Sequence, residues 1–218
     1  MATRRDGEVP SRPYLQLGVS SNVTYTYDES RKEGERITSV WVNDKPIDPK
    51  GTYSVGSGSF LIAGRDNFTE LAKGSKPVDS GKINLSAWVD WIRARKTLKP
   101  DFAKRAVSLT TSLHEGTSRD TTFTLGKPAD KAVAPDTVDF TSKDAVVNTI
   151  MKAQIVQDDK TVDVATTPVK DGWSSVSVKV PTAKGLVSGE ATTVFAFPDS
   201  GTTLRYAATL SDPTGPQS

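Results

Sequence analysis

The sequence predicts an α+β domain over residues 13–108, followed by an all-β sandwich over residues 109–210. Strand-like runs lead up to residue 56, and a helical period follows at residues 84–92. Beyond residue 108 the helical period is lost, and short alternating runs follow one another between turns. A hydrophobic content of 35% is enough to build a core, which excludes a chain that is disordered throughout.

Alternating apolar residues predict the strands of the first part, a mixed sheet with short helices. The runs are Tyr14–Val19, Val23–Tyr27, Ile37–Val42 and Tyr53–Gly56. A short helix at Phe60 and a turn at Gly64 are expected next, because glycine turns sharply at little steric cost. A longer helix is expected to begin at Asn84 as its N-cap. Its apolar residues recur at i, i+3, i+4 and i+7, namely Leu85, Trp88, Val89 and Ile92.

Six alternating runs predict the antiparallel sandwich of the second part. They are Thr121–Leu125, Thr137–Phe140, Ile150–Val156, Ser175–Val180, Thr192–Phe197 and Thr203–Leu210. Residues 1–12 are polar and predict a disordered lead-in, and residues 211–218 predict a flexible tail.

Composition limits the chemistry of the chain. Cysteine is absent, which excludes disulfides, thiolate catalysis and thiolate metal sites. No apolar run approaches the roughly 18 residues of a membrane-spanning helix, and no secretory signal follows Arg4 and Arg5. Residues 1–108 carry 18 Lys and Arg against 13 Asp and Glu. That excess suits an anionic ligand, although ordinary solvation of the surface explains it better.

The loop from Phe60 to Asp66 has the composition of a small binding site. A phenyl ring offers a flat apolar face, and a carboxylate accepts hydrogen bonds from hydroxyl groups. Gly64 between them lets the two groups converge on one ligand. On spacing alone, Phe60, Leu61 and Ile62 are better explained as core residues.

An ordered set of motifs changes that interpretation. Tyr14-Leu15-Gln16-Leu17-Gly18-Val19, Tyr25-Thr26-Tyr27-Asp28 and Pro46-Ile47-Asp48-Pro49-Lys50-Gly51 lead in order to the Phe60 loop, and Asp79-Ser80-Gly81 follows it. Residues 10–100 thereby resemble the second half of the C-terminal domain of the bacterial 5'-nucleotidase family. These are two-domain metallophosphatases that hydrolyse nucleotides outside the cytoplasm. The second part of the chain looks more loosely like the immunoglobulin-like modules that bacterial surface proteins carry.

The resemblance implies substrate binding without catalysis by this chain. In the family a phenylalanine stacks on the base and an aspartate six residues later binds the ribose hydroxyls, and Phe60 and Asp66 match these positions. Hydrolysis belongs to an N-terminal domain with two divalent metals, whose histidine-containing motifs are not found here. The expected ligand is a nucleoside or nucleotide, the expected partner is that missing domain, and the expected location is extracellular or at the cell surface. No nucleic acid and no membrane span are expected.

Two departures from the family pattern affect the expected site. Arg65 stands in Gly64-Arg65-Asp66-Asn67 where the family commonly has glycine. It requires either a backbone open to a side chain or strain at a positive φ, and it could reach a ligand phosphate or pair with Asp66. The family's second stacking phenylalanine and its substrate-binding arginines lie upstream of the matched motifs. The domain is therefore expected to be partial.

Other functions stay open at this point. His114 is the only histidine, and it is expected in the connector between the domains without a catalytic role. Asp158 and Asp159 are expected in a solvated turn. One alternative is a non-enzymatic surface scaffold or adhesion module with a vestigial pocket, which the sandwich and Arg65 favour. Another is the C-terminal part of an extracellular nuclease, which the lack of an aromatic and basic groove makes weaker.

Overall fold

The computed structural model describes residues 17–114, 120–127, 136–140, 142, 144–178 and 185–210. Two compact units divide these residues. The smaller unit contains the described residues 17–18 together with residues 50–100, and the larger contains residues 19–49 together with the described residues from 101 onward. In sequence, residues 50–100 of the smaller unit therefore lie between two parts of the larger one.

The larger unit consists of two β-sheets. Its strands are β1 Val23–Tyr27, β2 Ile37–Val42, β3 Lys45–Pro46, β4 Ala106–His114, β5 Asp120–Leu125, β6 Ile150–Gln157, β7 Lys160–Pro168, β8 Ser174–Val178, β9 Gly189–Phe197 and β10 Thr202–Leu210. One sheet has six strands in the order β3-β2-β1-β4-β5-β8, and the other has four in the order β10-β9-β6-β7. The pairing of β1 with β4 is parallel, so the larger sheet is mixed, and it includes β5 and β8 from beyond residue 108.

A single apolar core joins the two sheets. This core includes Leu109 of β4, Leu125 of β5, Phe195 of β9 and Leu204 of β10, each at most 1% exposed. The rings of Phe123 and Phe195 lie 5.1 Å apart across this core. Burial of these large apolar side chains is the main source of stability for the unit.

The β1–β2 hairpin is built into the larger unit. In the parallel ladder, Thr26 of β1 pairs with Val107 of β4, and both side chains are buried. Trp41 of β2 is 5% exposed, and its indole N–H donates to Ser39 Oγ at 2.8 Å. Ser39 in turn donates to the carbonyl oxygen of Arg205 in β10 at 3.1 Å. The hairpin therefore contacts both sheets.

A buried polar cluster holds the same hairpin from its other end. The Tyr27 hydroxyl donates to Asp136 at 3.0 Å, and the Lys104 ammonium donates to the carbonyl oxygen of Thr137 at 2.5 Å. Asp139 accepts hydrogen bonds from the backbone and side-chain amides of Asn148. Burial lowers the pKa of Lys104, and the negative charges of Asp139 and Asp136 partly oppose that shift.

The smaller unit contains short helices without a buried core. They are α1 Ser59–Ile62, two 3-10 turns at Arg65–Asn67 and Thr69–Lys73, and α2 Asn84–Arg95. No residue from 50 to 100, all of which the structure describes, is fully buried. Among the described residues, no helix combines the length and the apolar character that crossing a membrane requires.

Several predicted elements differ from the observed ones. Ile83, not Asn84, is the N-cap of α2, because Ile83 is extended while Asn84 is already helical. Residues 53–56 and 137–140 form no strand, and strands β4 and β7 were not predicted. Residues 17–19 form no strand, and the rest of the run Tyr14–Val19 lies outside the described residues, as do Lys179 and Val180.

The predicted domain boundary at residues 108 and 109 falls inside strand β4. The two compact units are defined by which residues pack together. The predicted boundary separates two domains that are defined by their resemblance to protein families. The division into those two domains stays a prediction.

Candidate functional site

Helix α1 ends in the glycine turn that the sequence predicts. The amide of Ala63 donates to Ser59 O, and the amide of Gly64 donates to Leu61 O, each at 2.9 Å. Gly64 has a φ of 74°, and a Cβ at this position would lie 3.1 Å from the Cβ of Ala72. Both the positive φ of Gly64 and the close approach of Ala72, in the second 3-10 turn, require glycine here.

This turn presents Phe60 and Asp66 to solvent. Phe60 lies in α1 and is 57% exposed. Asp66 lies in the 3-10 turn that follows and is also exposed. The ring is therefore free of the core packing that the spacing alone would suggest, and an aromatic face in water is available for stacking.

The strain at this turn falls on Asp66 and Asn67, not on Arg65. Asp66 and Asn67 have φ values of 52° and 66°, whereas Arg65 is not among the residues with positive φ. Asp and Asn tolerate the left-handed region better than most residues do. Arg65 is exposed, and the described side chains show no ion pair between Arg65 and Asp66. Both groups are therefore accessible to a ligand.

A cavity of about 550 Å³ opens beside α1. Its wall includes Ser57, Ser59, Ile62, Leu71, Val78 and Asn84, but neither Phe60 nor Asp66. Two of its charged groups have partners within the unit, since Asp79 accepts a hydrogen bond from the amide of Gly81 and Lys82 forms an ion pair with Asp90. This cavity could not be predicted from the sequence, because residues 77–84 meet α1 only in the fold.

The remaining candidate residues lie in the larger unit. His114 is the last residue of β4. Asp158 and Asp159 are exposed in the turn between β6 and β7, as predicted. Within the described residues, no three His, Cys, Asp or Glu side chains are close enough to hold a metal ion. We therefore assign no step to a metal bound by these residues.

Comparison with known proteins gives two findings. Residues 3–73 match the sequence model of the 5'-nucleotidase C-terminal domain. A 5'-nucleotidase-related protein of Glossina morsitans morsitans is 34% identical to this chain over 101 residues. The matched stretch is 43% of this chain and 18% of that relative, so the chain spans less than a fifth of the curated relative's length.

The family match contains both predicted site residues and crosses the two compact units. Phe60 and Asp66 lie within residues 3–73, whereas helix α2 lies beyond them. Of the matched residues, 19–49 belong to the larger unit and 50–73 to the smaller one. The chain therefore has a stretch similar to a 5'-nucleotidase C-terminal domain, and the β1–β2 hairpin within that stretch packs with the sheets that follow it.

Proposed function

We propose that this chain is the nucleoside- or nucleotide-binding C-terminal part of an extracellular, 5'-nucleotidase-like metallophosphoesterase. The observation that carries the proposal is the place of Phe60 and Asp66. Both lie in the stretch that matches the 5'-nucleotidase C-terminal domain, and both are exposed on one tight helix-turn segment.

Phe60 would stack on the base while Asp66 binds the ribose. Stacking of a base on an aromatic side chain contributes about 1–3 kcal/mol. A hydrogen bond from a sugar hydroxyl to a carboxylate contributes roughly 1.5–3 kcal/mol, because the acceptor is charged. Two such contacts give weak binding, so we expect affinities in the micromolar to millimolar range.

Hydrolysis would belong to a separate metallophosphatase domain. Such a domain would hold two divalent metal ions, and this chain would supply the substrate's nucleoside end. Residues 109–210 would be an immunoglobulin-like module, and the whole protein would act outside the cytoplasm. The length of the Glossina relative, of which the matched stretch is 18%, leaves room for a catalytic domain in proteins of this kind.

Isothermal titration with adenosine and AMP tests the proposal. We expect weak, saturable binding by the natural chain and a loss of affinity of roughly 5- to 150-fold in Phe60→Ala, since loss of stacking removes about 1–3 kcal/mol. Asp66→Asn should weaken the binding of adenosine while leaving 2',3'-dideoxyadenosine nearly unaffected, because the dideoxy analogue lacks the 2'- and 3'-hydroxyls that would donate to the carboxylate.

Phe140→Ala is the matched control. Phe140 is a 43% exposed phenylalanine of the larger unit, so its removal should leave the titration unchanged. Equal binding by the natural chain and Phe60→Ala, or no binding by either, would contradict the proposal. That result would favour a scaffold or adhesion module with a vestigial pocket. The lack of a buried core in the smaller unit is also compatible with that function.

A further inference from the structure

Arg65 lies between the glycine turn and Asp66, at a position where the family commonly has glycine. It is the first residue of the 3-10 turn Arg65–Asn67, and its carbonyl oxygen accepts a hydrogen bond from the amide of Phe68 at 3.2 Å. Its φ is not positive, so the turn holds this side chain without left-handed strain. The chain therefore carries a cation directly beside the carboxylate that is proposed to bind ribose.

The guanidinium of Arg65 has no ion-pair partner among the described residues. Two lysines of the same unit do have such partners. Lys73 pairs with Glu70, and the ammonium group of Lys82 pairs with Asp90. Arg65 is exposed, and within the described part of the chain it lies over no aromatic ring. The N–H donors of its guanidinium are therefore available to a ligand.

A phosphate ester is the ligand group that suits these donors best. A planar guanidinium donates two parallel hydrogen bonds to two phosphate oxygens, whereas an ammonium group acts as a point charge. A nucleotide differs from a nucleoside by such a phosphate, which carries a charge of about −1.5 to −2 at neutral pH. A nucleoside offers Arg65 no anionic group, so this side chain has a function only towards the phosphorylated ligand.

The charge of Asp66 explains why a cation is needed at this turn. A carboxylate that accepts hydrogen bonds from the ribose lies close to the phosphate of the same ligand, and the two negative charges repel each other. Asp66 is exposed, so water and salt weaken this repulsion without removing it. With Asp66 alone, the site would therefore favour nucleosides over nucleotides. The adjacent positive charge of Arg65 offsets that preference.

We propose that Arg65 binds the phosphate of a 5'-nucleotide and makes this site prefer nucleotides to nucleosides. The inference rests on the proposed function, because Phe60 and Asp66 would hold the nucleoside that carries the phosphate. Since Asp66 would accept from free 2'- and 3'-hydroxyls, the phosphate belongs at the 5' position. Adenosine 3'-monophosphate, in which one of those hydroxyls is esterified, should therefore bind less tightly than AMP.

Isothermal titration of the natural chain and of Arg65→Ala with adenosine and with AMP tests the inference. We expect the natural chain to bind AMP more tightly than adenosine. Arg65→Ala should lose about tenfold in affinity for AMP and less than about twofold for adenosine. Unchanged adenosine binding also shows that the variant is folded. Added salt should weaken the binding of AMP to the natural chain but not that of adenosine, because only AMP is charged.

Lys99→Ala is the matched control, because it removes one positive charge from an exposed position of the same unit. It should leave the preference for AMP unchanged, whereas Arg65→Lys should restore part of the AMP affinity that Arg65→Ala loses. An equal loss for adenosine and AMP in Arg65→Ala, an unchanged AMP preference, or the same loss in Lys99→Ala would overturn this inference alone. Failure of the natural chain to bind adenosine would contradict the proposed nucleoside site and this inference with it.

Discussion

Gly64 sets the geometry of the proposed site at the scale of one residue. Its left-handed φ and the 3.1 Å approach to Ala72 mean that a side chain there meets two separate penalties. The left-handed region costs a non-glycine residue about 1–2 kcal/mol, and the contact requires Ala72 to move. Since the amide of Gly64 closes the end of α1, displacement of this turn would move Phe60 relative to Asp66.

Gly64→Ala should therefore loosen the site. We expect faster hydrogen exchange at the amides of Ala63 and Gly64, and weaker nucleoside binding if Phe60 and Asp66 act together. Gly81→Ala is the matched control, because Gly81 lies in the same unit with a φ of 65° and no atom within 4 Å of an added Cβ. Equal exchange rates in the two variants would show that the contact with Ala72 is unimportant.

The sequence predicts this turn because its signals are local. Gly64 between a short apolar run and a polar one is enough to indicate a helix followed by a turn. Exposure of Phe60 is not a local property. From spacing, the ring was better explained as core, and only the fold shows that the unit has no core to receive it. The cavity beside α1 was likewise beyond prediction, since its walls are distant in sequence.

At the scale of elements, the prediction fails in two situations. In one, consecutive residues of a strand are both buried, so apolar and polar residues do not alternate. In the other, residues alternate but side-chain hydrogen bonds hold them in a loop. Strand β4 is central in the mixed sheet, and consecutive residues such as Val107 and Ser108 are both buried, so no alternating pattern marks it. Residues 137–140 alternate but form no strand. There, Thr137 Oγ1 donates to Asp139 O and Asp139 accepts from Asn148, so side chains hold the segment in a loop.

Burial of Lys104 makes the stability of the larger unit sensitive to pH. Its pKa in the fold is lowered by burial, and Asp139 and Asp136 only partly offset this. The unfolded chain therefore binds the proton more tightly. The stability penalty is fully present below the folded pKa, and it disappears as the pH rises from that value towards the ordinary 10.5.

Compared with Lys104→Met, the natural chain should therefore gain stability as the pH rises through this alkaline window. Urea unfolding of both proteins at several pH values measures the difference, and subtraction removes the titration of tyrosines and other lysines that they share. Lys152→Met, which removes an exposed lysine of β6, is measured in the same way as the matched control. A difference between the natural chain and Lys104→Met that is independent of pH would exclude a lowered pKa.

At the scale of the whole molecule, one stretch of sequence is shared between the two units. Residues 3–73 are similar to a 5'-nucleotidase C-terminal domain, but the hairpin of residues 19–49 within them belongs to the larger unit. A fragment that begins at residue 101 would lose β1, β2 and β3. It would uncover the β4 edge and the buried Val107, and it would remove the packing of Trp41. Removal of a buried tryptophan side chain alone costs about 3–5 kcal/mol. Such a fragment should unfold or aggregate, because an unpaired apolar edge strand favours association.

Replacement of residues 50–100 by a flexible linker should, in contrast, leave the larger unit folded. Strands β3 and β4 are separated by two other strands in the sheet, or roughly 15 Å at about 4.8 Å per strand. A Gly/Ser linker of about ten residues spans roughly 17 Å on average. We expect this deletion variant to unfold in one cooperative transition, with the natural β-sheet signal in circular dichroism and without nucleoside binding. Loss of cooperativity would mean that the inserted unit stabilises the sheets. If adenosine binding survived the deletion, the site would lie in the larger unit, and Phe60 and Asp66 would have no role in it.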